Sequence, residues 1–124
     1  MASAITADRL SEFLEAWNAH DANRIVSLMT DDCSFHASAG PEFLGRSAVG
    51  REAVREAVME FFRRFPDVRF VDVDSFIAGD RGAAEWTMVW TDADENERRV
   101  RGCDLFEFND GLIRTKNAFR KAVA

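Results

Sequence analysis

A chain of 124 residues with 47% hydrophobic and 31% charged residues has room for one core and reads as a single domain over residues 1–124. Its formal charge of −6 and its scattered Arg and Lys argue against nucleic acid or an anionic membrane as partners. The start, Met-Ala-Ser-Ala-Ile-Thr-Ala-Asp, has neither a positive cluster nor an apolar run, and no stretch is long enough to span a bilayer, so the expected location is cytoplasmic.

Thr6 is the expected N-cap of a first helix, with Asp8 at its positive end and Ile5 stapled to Leu10. Leu10, Phe13, Leu14 and Trp17 then recur at helical spacing. Asp21 opens a second short helix with Ile25, Leu28 and Met29 as its apolar stripe, ended by Thr30-Asp31-Asp32. Cys33 to Ala37 reads as a short strand, and Ser38 to Gly50 as a loop broken by Gly40-Pro41, Gly45 and Gly50. A third helix is predicted from about Arg51 to Arg64, stopped by Pro66, with Val54, Ala57, Val58, Phe61 and Phe65 facing inward.

Val68 to Ile77 alternates as a strand, and after Gly79-Asp80-Arg81-Gly82 a second strand places Ala84, Trp86, Met88 and Trp90 on one bulky apolar face. Glu85 then faces away, toward an Arg such as Arg99 or Arg101. Asp92 to Glu97 reads as a solvated loop. It imitates the start of a calcium loop, but Glu97 stands where Gly is needed and Cys103 where a bidentate Glu is needed. Arg99 to Phe119 forms the last hairpin around Asn109-Asp110-Gly111. Three helices and a curved, cone-shaped antiparallel sheet of about five strands follow. The class is α+β, with the helices of the N-terminal half on the concave face.

Asp104 shares the apolar face of Val100, Gly102, Phe106 and Phe108, and a carboxylate there needs a partner or a task. A three-residue turn sets Asp104 opposite Lys116. A two-residue Asp110-Gly111 turn sets it opposite Asn117, with Lys116 on the convex face. Together, Asp104 and Lys116 could supply acid–base or electrostatic assistance, or form a structural ion pair. His36 is expected to face outward and His20 to sit in a turn. Two His and two Cys without close spacing make no zinc site, no phosphate-binding loop or Ser-His-Asp motif occurs, and no cofactor is implied. Cys33 and Cys103 are expected to be reduced.

Three segments carry a family resemblance. They are Ile25-Val26-Ser27-Leu28-Met29-Thr30-Asp31-Asp32-Cys33, Gly50-Arg51-Glu52-Ala53-Val54, and Arg101-Gly102-Cys103-Asp104-Leu105-Phe106-Glu107-Phe108-Asn109-Asp110-Gly111-Leu112-Ile113. The chain resembles the nuclear transport factor two-like superfamily, and within it the SnoaL-like and ketosteroid-isomerase-like proteins. The likeness places Lys116 on the pocket face, which favours the three-residue turn. It puts Asp104 where steroid isomerases keep a protonated Asp that donates to an oxyanion. Phe13 then falls where those enzymes have a Tyr, and Ala37 where they have the general base. The epoxide-hydrolase carboxylate on the last strand falls at Ala118.

The resemblance implies a pocket for a small, largely apolar molecule bearing a carbonyl or carboxylate. Asp104 and Lys116 are its chemical groups, and Phe13, Trp17, Phe35, Phe61, Trp86, Met88, Trp90 and Phe106 its walls. The chemistry implied is of isomerase, cyclase or lyase type. The alternative is a non-catalytic ligand-binding or dimeric interaction domain with degenerate catalytic positions. A homodimer is expected from the likeness and from outward-facing Val89, Leu105, Ile113 and Phe119.

Overall fold

The structure, a computed structural model, describes residues 4–122. Helix α1 (Ala7–Asn18) starts where Thr6 Oγ1 accepts the Arg9 N–H, and α2 (Ala22–Ser27) where Asp21 accepts the Arg24 N–H. Helix α3 (Arg51–Arg64) follows Gly50, whose φ of 90° suits a residue without a Cβ. Six strands complete the fold: β1 (Met29–His36), β2 (Ser47–Val49), β3 (Arg69–Ala78), β4 (Arg81–Thr91), β5 (Glu97–Asn109) and β6 (Leu112–Arg120). They form one curled sheet in the order β2-β1-β6-β5-β4-β3, antiparallel except for β1 against β6. No helix among the described residues is long and apolar enough to cross a membrane.

The α+β class and three helices stand as expected; the strand count and several boundaries do not. Leu28 and Met29 leave the helix because β6 captures the chain: the Ile113 N–H donates to Leu28 O at 3.0 Å. Arg51, the first residue of α3, then clamps Met29 O through Nε and Nη2 at 3.1 and 2.6 Å. The sixth strand, β2, lies inside the segment read as loop. Three residues are too few for a periodic signal, and it is held by pairing from Ser34↔Val49 to His36↔Ser47.

The final hairpin follows neither register read from the sequence. Asp110 and Gly111, with φ of 55° and 74°, make a two-residue turn that pairs Asn109 with Leu112. A bulge at Arg114 then shifts the ladder, so Phe108 pairs with Ile113 but Glu107 with Thr115. Asp104 therefore lies opposite Ala118, and Lys116 opposite Phe106. The shift relative to the three-residue turn is two residues, which preserves faces, so Lys116 still points inward beside Asp104. The bulge also turns Ile113 into the core, where it is fully buried, and leaves Arg114 exposed. Ile113 is therefore not an outward residue, and the inward row of Leu112, Arg114, Lys116 and Arg120 that simple alternation would give is broken. Val89 is also buried, lying in register between Arg69 and Arg99, whose long stems suit the covering of apolar surface. Of the four apolar residues expected on the convex face, Leu105 and Phe119 are the exposed ones.

One core unites Leu10, Phe13 and Trp17 of α1, Ile25 and Val26 of α2, and Val54 and Val58 of α3 with Met88, Phe106, Phe108 and Ile113 of the sheet. A second bulge in β3, with Asp72 at φ 52°, shifts the register between Val71 and Asp74. It brings Phe70 on one side of the bulge and Val73 and Ser75 on the other to the same cavity. Asn18 ties the end of α1 to this strand by donating to Phe70 O at 3.0 Å and accepting the Phe70 N–H at 2.7 Å.

Candidate functional site

Asp104 has Ala84 as its neighbour on β4 and Ala118 on β6. Methyl groups on both sides leave the carboxylate open to longer side chains arriving diagonally, one pleat away. Two do. Lys116 Nζ donates to Oδ1 at 2.9 Å, and the Trp86 indole N–H donates to Oδ2 at 2.9 Å. The ion pair is closed off from solvent, with side-chain exposures of 6% for Lys116 and 3% for Asp104. Gly102 makes the Trp86 contact possible. It lies opposite Trp86 in the ladder, and a Cβ there would stand 2.5 Å from the indole Cη2 and 2.5 Å from Phe119 O.

The other side of the ammonium is aromatic. Nζ lies 4.2 Å from the Trp17 ring centroid and 5.0 Å from that of Phe35. Desolvated cation–π contacts of this kind contribute about 2 kcal/mol. Trp17 is the hub of the aromatic wall, edge-on to Phe13, Phe35, Phe61, Phe62 and Phe70. Its own indole N–H is buried and has no acceptor among the described residues.

Two cavities meet at this point. The larger, about 270 Å³, opens between α1 and β3 and is lined by Asp104, Lys116, Trp17, Trp86, Glu15 and Ser75 among others. The smaller, about 100 Å³, lies toward the end of α3 and is walled by Phe35, Phe61, Phe70 and Met88. Trp17, Phe70, Trp86 and Lys116 border both. Lys116 can therefore present N–H groups toward a ligand while one is held by Asp104. Both Asp104 oxygens accept from donors, one of them the Lys116 ammonium, so the carboxyl group is occupied by its neighbours.

The expected residues divide accordingly. Asp104, Lys116, Trp17 and Trp86 come together at the junction; Phe35, Phe61 and Met88 line the smaller cavity. Phe13 and Phe106 are fully buried beneath the site and contact each other edge-on at 6.0 Å, lining neither cavity. Trp90 also lines neither: it packs on Phe65 at 5.6 Å, beside a shallow groove with Arg98 and Arg99. Ala37 and Ala118 both line the smaller cavity. Phe70, Arg64 and Arg120 also line the smaller cavity, beyond the residues expected there. Phe70 is legible as an aromatic in an alternating strand, whereas the place of the two arginines depends on how the end of α3 meets the end of β6.

The remaining polar residues have structural partners. His20, at φ 55° after α1, donates through Nε2 to Val68 O at 2.7 Å and stacks on Phe62. His36 Nδ1 lies 2.7 Å from Ser47 Oγ on β2, and Glu85 is paired with Arg101 at 2.9 Å. Asp92 accepts the backbone N–H groups of Asp94 and Asn96 in the solvated loop. Burial pushes the thiol pKa of both Cys33 and Cys103 up, and neither is in a disulfide. Among the described residues, no three His, Cys, Asp or Glu side chains are grouped as metal ligands.

Comparison with known proteins agrees with the architecture. The sequence profile of the SnoaL-like domain matches residues 10–115. No curated protein matches the sequence. Among solved structures, a nuclear transport factor two-like protein of unknown function from Mesorhizobium loti is 27% identical, with a TM-score of 0.74 over 94% of this chain and 90% of that one. A hypothetical protein with a ketosteroid isomerase-like fold from Catenulispora acidiphila DSM 44928, in complex with trimethylamine, is 16% identical, with a TM-score of 0.80 over 92% of this chain and 85% of that one. A candidate polyketide cyclase from Xanthomonas campestris pv. campestris is 19% identical, with a TM-score of 0.78 over 90% and 87% of the two chains. Likeness at 16% and 19% identity speaks for fold, which in this superfamily hosts several chemistries.

Proposed function

The chain belongs to the SnoaL-like domain family, and from that premise we propose that it binds a small, largely apolar carbonyl compound and polarises the carbonyl oxygen through Lys116. The observation that supports this reading is the Asp104–Lys116 pair, sealed at 2.9 Å where two aromatic-lined cavities meet. An ammonium fixed in a low-dielectric wall stabilises an oxyanion without reorganising when the charge develops. Asp104 is the positioning residue that aims the ammonium, and Trp86 holds Asp104. The reaction class is proton transfer next to a carbonyl, as in isomerisation, cyclisation or elimination: the α-proton passes to a solvent base at the cavity mouth, and the electron pair of the C–H bond moves onto the carbonyl oxygen held by Lys116. Steroid isomerisation by a protonated Asp is not part of the proposal, because Asp104 is paired with Lys116, and Ala37 and Phe13 carry no acid–base group.

Exchange of the α-hydrogens of 2-tetralone with D2O, followed by proton NMR, tests this. The protein should accelerate exchange, and Lys116→Met should abolish the acceleration while leaving the fold intact by circular dichroism. Ala37 in the cavity wall favours a second reading, a binding module without turnover. Tetralone binding with no exchange above buffer would select it. Either reading includes self-association through the exposed Leu105 and Phe119 on the convex face, and sedimentation equilibrium giving only the 14.0 kDa species would remove that element.

A further inference from the structure

The two cavities differ in charge. The larger has the carboxylates of Asp104 and Glu15 in its wall. The smaller has Lys116, Arg64 and Arg120 and no carboxylate, in a chain that carries 22 acidic residues against 16 basic ones. Lys116 is matched by Asp104. Arg64 and Arg120 are not: among the described residues, neither forms an ion pair.

Arg64 is the last residue of α3, where a cation suits the negative helix end, and its guanidinium lies 5.3 Å from the Phe65 ring centroid. That accounts for Arg64 but not for Arg120, which comes from the far end of β6. Arg120 Nε donates to Ser38 Oγ at 2.6 Å, and Nη1 to the weak acceptor Met88 Sδ at 3.4 Å. Two of its five N–H groups are thereby used, which fixes the fork and leaves the rest directed elsewhere. Partial burial, and after it the Arg64 charge, hold the Arg120 pKa below the usual value, and both guanidiniums line the same cavity. Arg120 also borders the shallow groove that contains Arg99 and Lys121, and this end of the sheet is basic. Glu60, one turn back on α3, feels the Arg64 charge but is hydrogen-bonded to Arg63, so two guanidiniums line one aromatic cavity with no carboxylate in direct contact, an arrangement complementary to an anion with an apolar body.

We propose that Arg64 and Arg120 clamp the carboxylate of an aryl acid, whose ring enters the smaller cavity toward Lys116. This rests on the reading of the Lys116 junction as a ligand site, and it narrows the ligand from an apolar carbonyl compound to an aromatic carboxylic acid. The basic rim draws the anion to the mouth of an otherwise acidic protein. The planar carboxylate then meets two guanidinium forks, and the cavity wall selects the ring.

Phenylacetate and phenylacetamide are the probes: they share a ring and differ in charge. Their binding is followed by the indole N–H signals of Trp17 and Trp86 in 15N-labelled protein. Phenylacetate should bind about tenfold or more tightly than phenylacetamide at low salt, a difference of about 1.4 kcal/mol. Raising the salt concentration should weaken only the acid. Arg64→Gln and Arg120→Gln should each reduce the preference, and the double variant should bring the ratio to about one by weakening the acid far more than the amide. Equal binding of acid and amide by the unmodified protein would overturn the clamp and leave the apolar pocket standing. So would a preference that survives in the double variant. A preference lost in Lys116→Met but retained in Arg64→Gln/Arg120→Gln would assign the carboxylate to Lys116 instead. Binding of neither probe would remove both the clamp and the pocket reading.

Discussion

Replacing Lys116 with Met keeps much of the side-chain volume but leaves Asp104 as a buried carboxylate with one remaining donor, Trp86. Breaking a buried ion pair in this way costs about 3–5 kcal/mol, and the surviving Trp86 bond places the expected loss near the lower end. The lost charge-assisted hydrogen bond, about 1.5–3 kcal/mol, and the cation–π contact over Trp17 at 4.2 Å are parts of that same figure, not additions to it. Asp104→Asn keeps the shape but leaves the ammonium without its counter-charge, at an expected cost of about 2–4 kcal/mol. The double variant should cost less than the sum by about 1–3 kcal/mol, because the second change removes the orphaned charge. Urea unfolding followed by far-ultraviolet circular dichroism measures all four corners of the cycle without relying on Trp17 or Trp86 fluorescence. A coupling energy within about 0.5 kcal/mol of zero, the additivity expected of independent sites, would refute the claim that these charges hold one another.

Three further outcomes follow from the same geometry. Gly102→Ala places a methyl 2.5 Å from both the Trp86 ring and Phe119 O, so a loss of about 1–3 kcal/mol is expected, together with a shift of the Trp86 indole N–H resonance as its bond to Asp104 is disturbed; an unchanged spectrum would refute the close approach. In native protein, an excess of a thiol reagent should label half-buried Cys103 before fully buried Cys33, and both slowly near neutral pH, because burial favours the uncharged thiol in each. Fast labelling of Cys33 would contradict its burial. Asp67, bonded by the Thr91 hydroxyl and backbone N–H, has its pKa held below the usual carboxylate value, so its contribution is present above about pH 4 and is lost as pH falls through the folded value. The urea midpoint of Asp67→Asn should therefore fall less than that of the unmodified protein between pH 5 and pH 2.

The chain order of helices and long strands is legible because caps and periodicity are local. Thr6 and Asp21 cap helices as the sequence indicates, and the bulky row of β4 faces inward from Ala84 to Met88. The elements that escape are those defined by partners. Strand β2 exists through its pairing with β1, and the chain leaves the helix at Leu28 and is extended from Met29 because β6 takes its backbone. The hairpin register is partly legible. Ile113 and Ala118 are apolar at opposite parity, and strict alternation cannot put both on one face; an extra residue between them can, and Arg114 is that residue. Asp104 stands out as the one carboxylate in an apolar row, and Lys116 follows from it by face. Phe13, Phe106 and Trp90 share that apolar character, yet Phe13 and Phe106 lie too deep to reach the cavity walls and Trp90 lies at the rim on Phe65, and position between core and rim is not encoded in alternation. Arg64 looks like a solvated charge at the end of its helix, and Arg120 like the last member of a polar inward row. Their meaning comes from the meeting of the end of α3 with the end of β6 at one cavity mouth.

The central claim is that the Lys116 ammonium, aimed by Asp104, donates to the carbonyl oxygen of a bound ligand. The most direct measurement is the 13C resonance of carbonyl-labelled 2-tetralone bound to the protein. A donor at the oxygen moves that signal downfield, so the bound ketone should resonate downfield of its position in the Lys116→Met variant. A carbonyl resonance that is the same in both proteins, with the ketone bound in each, would contradict the claim and leave Lys116 as part of the wall alone.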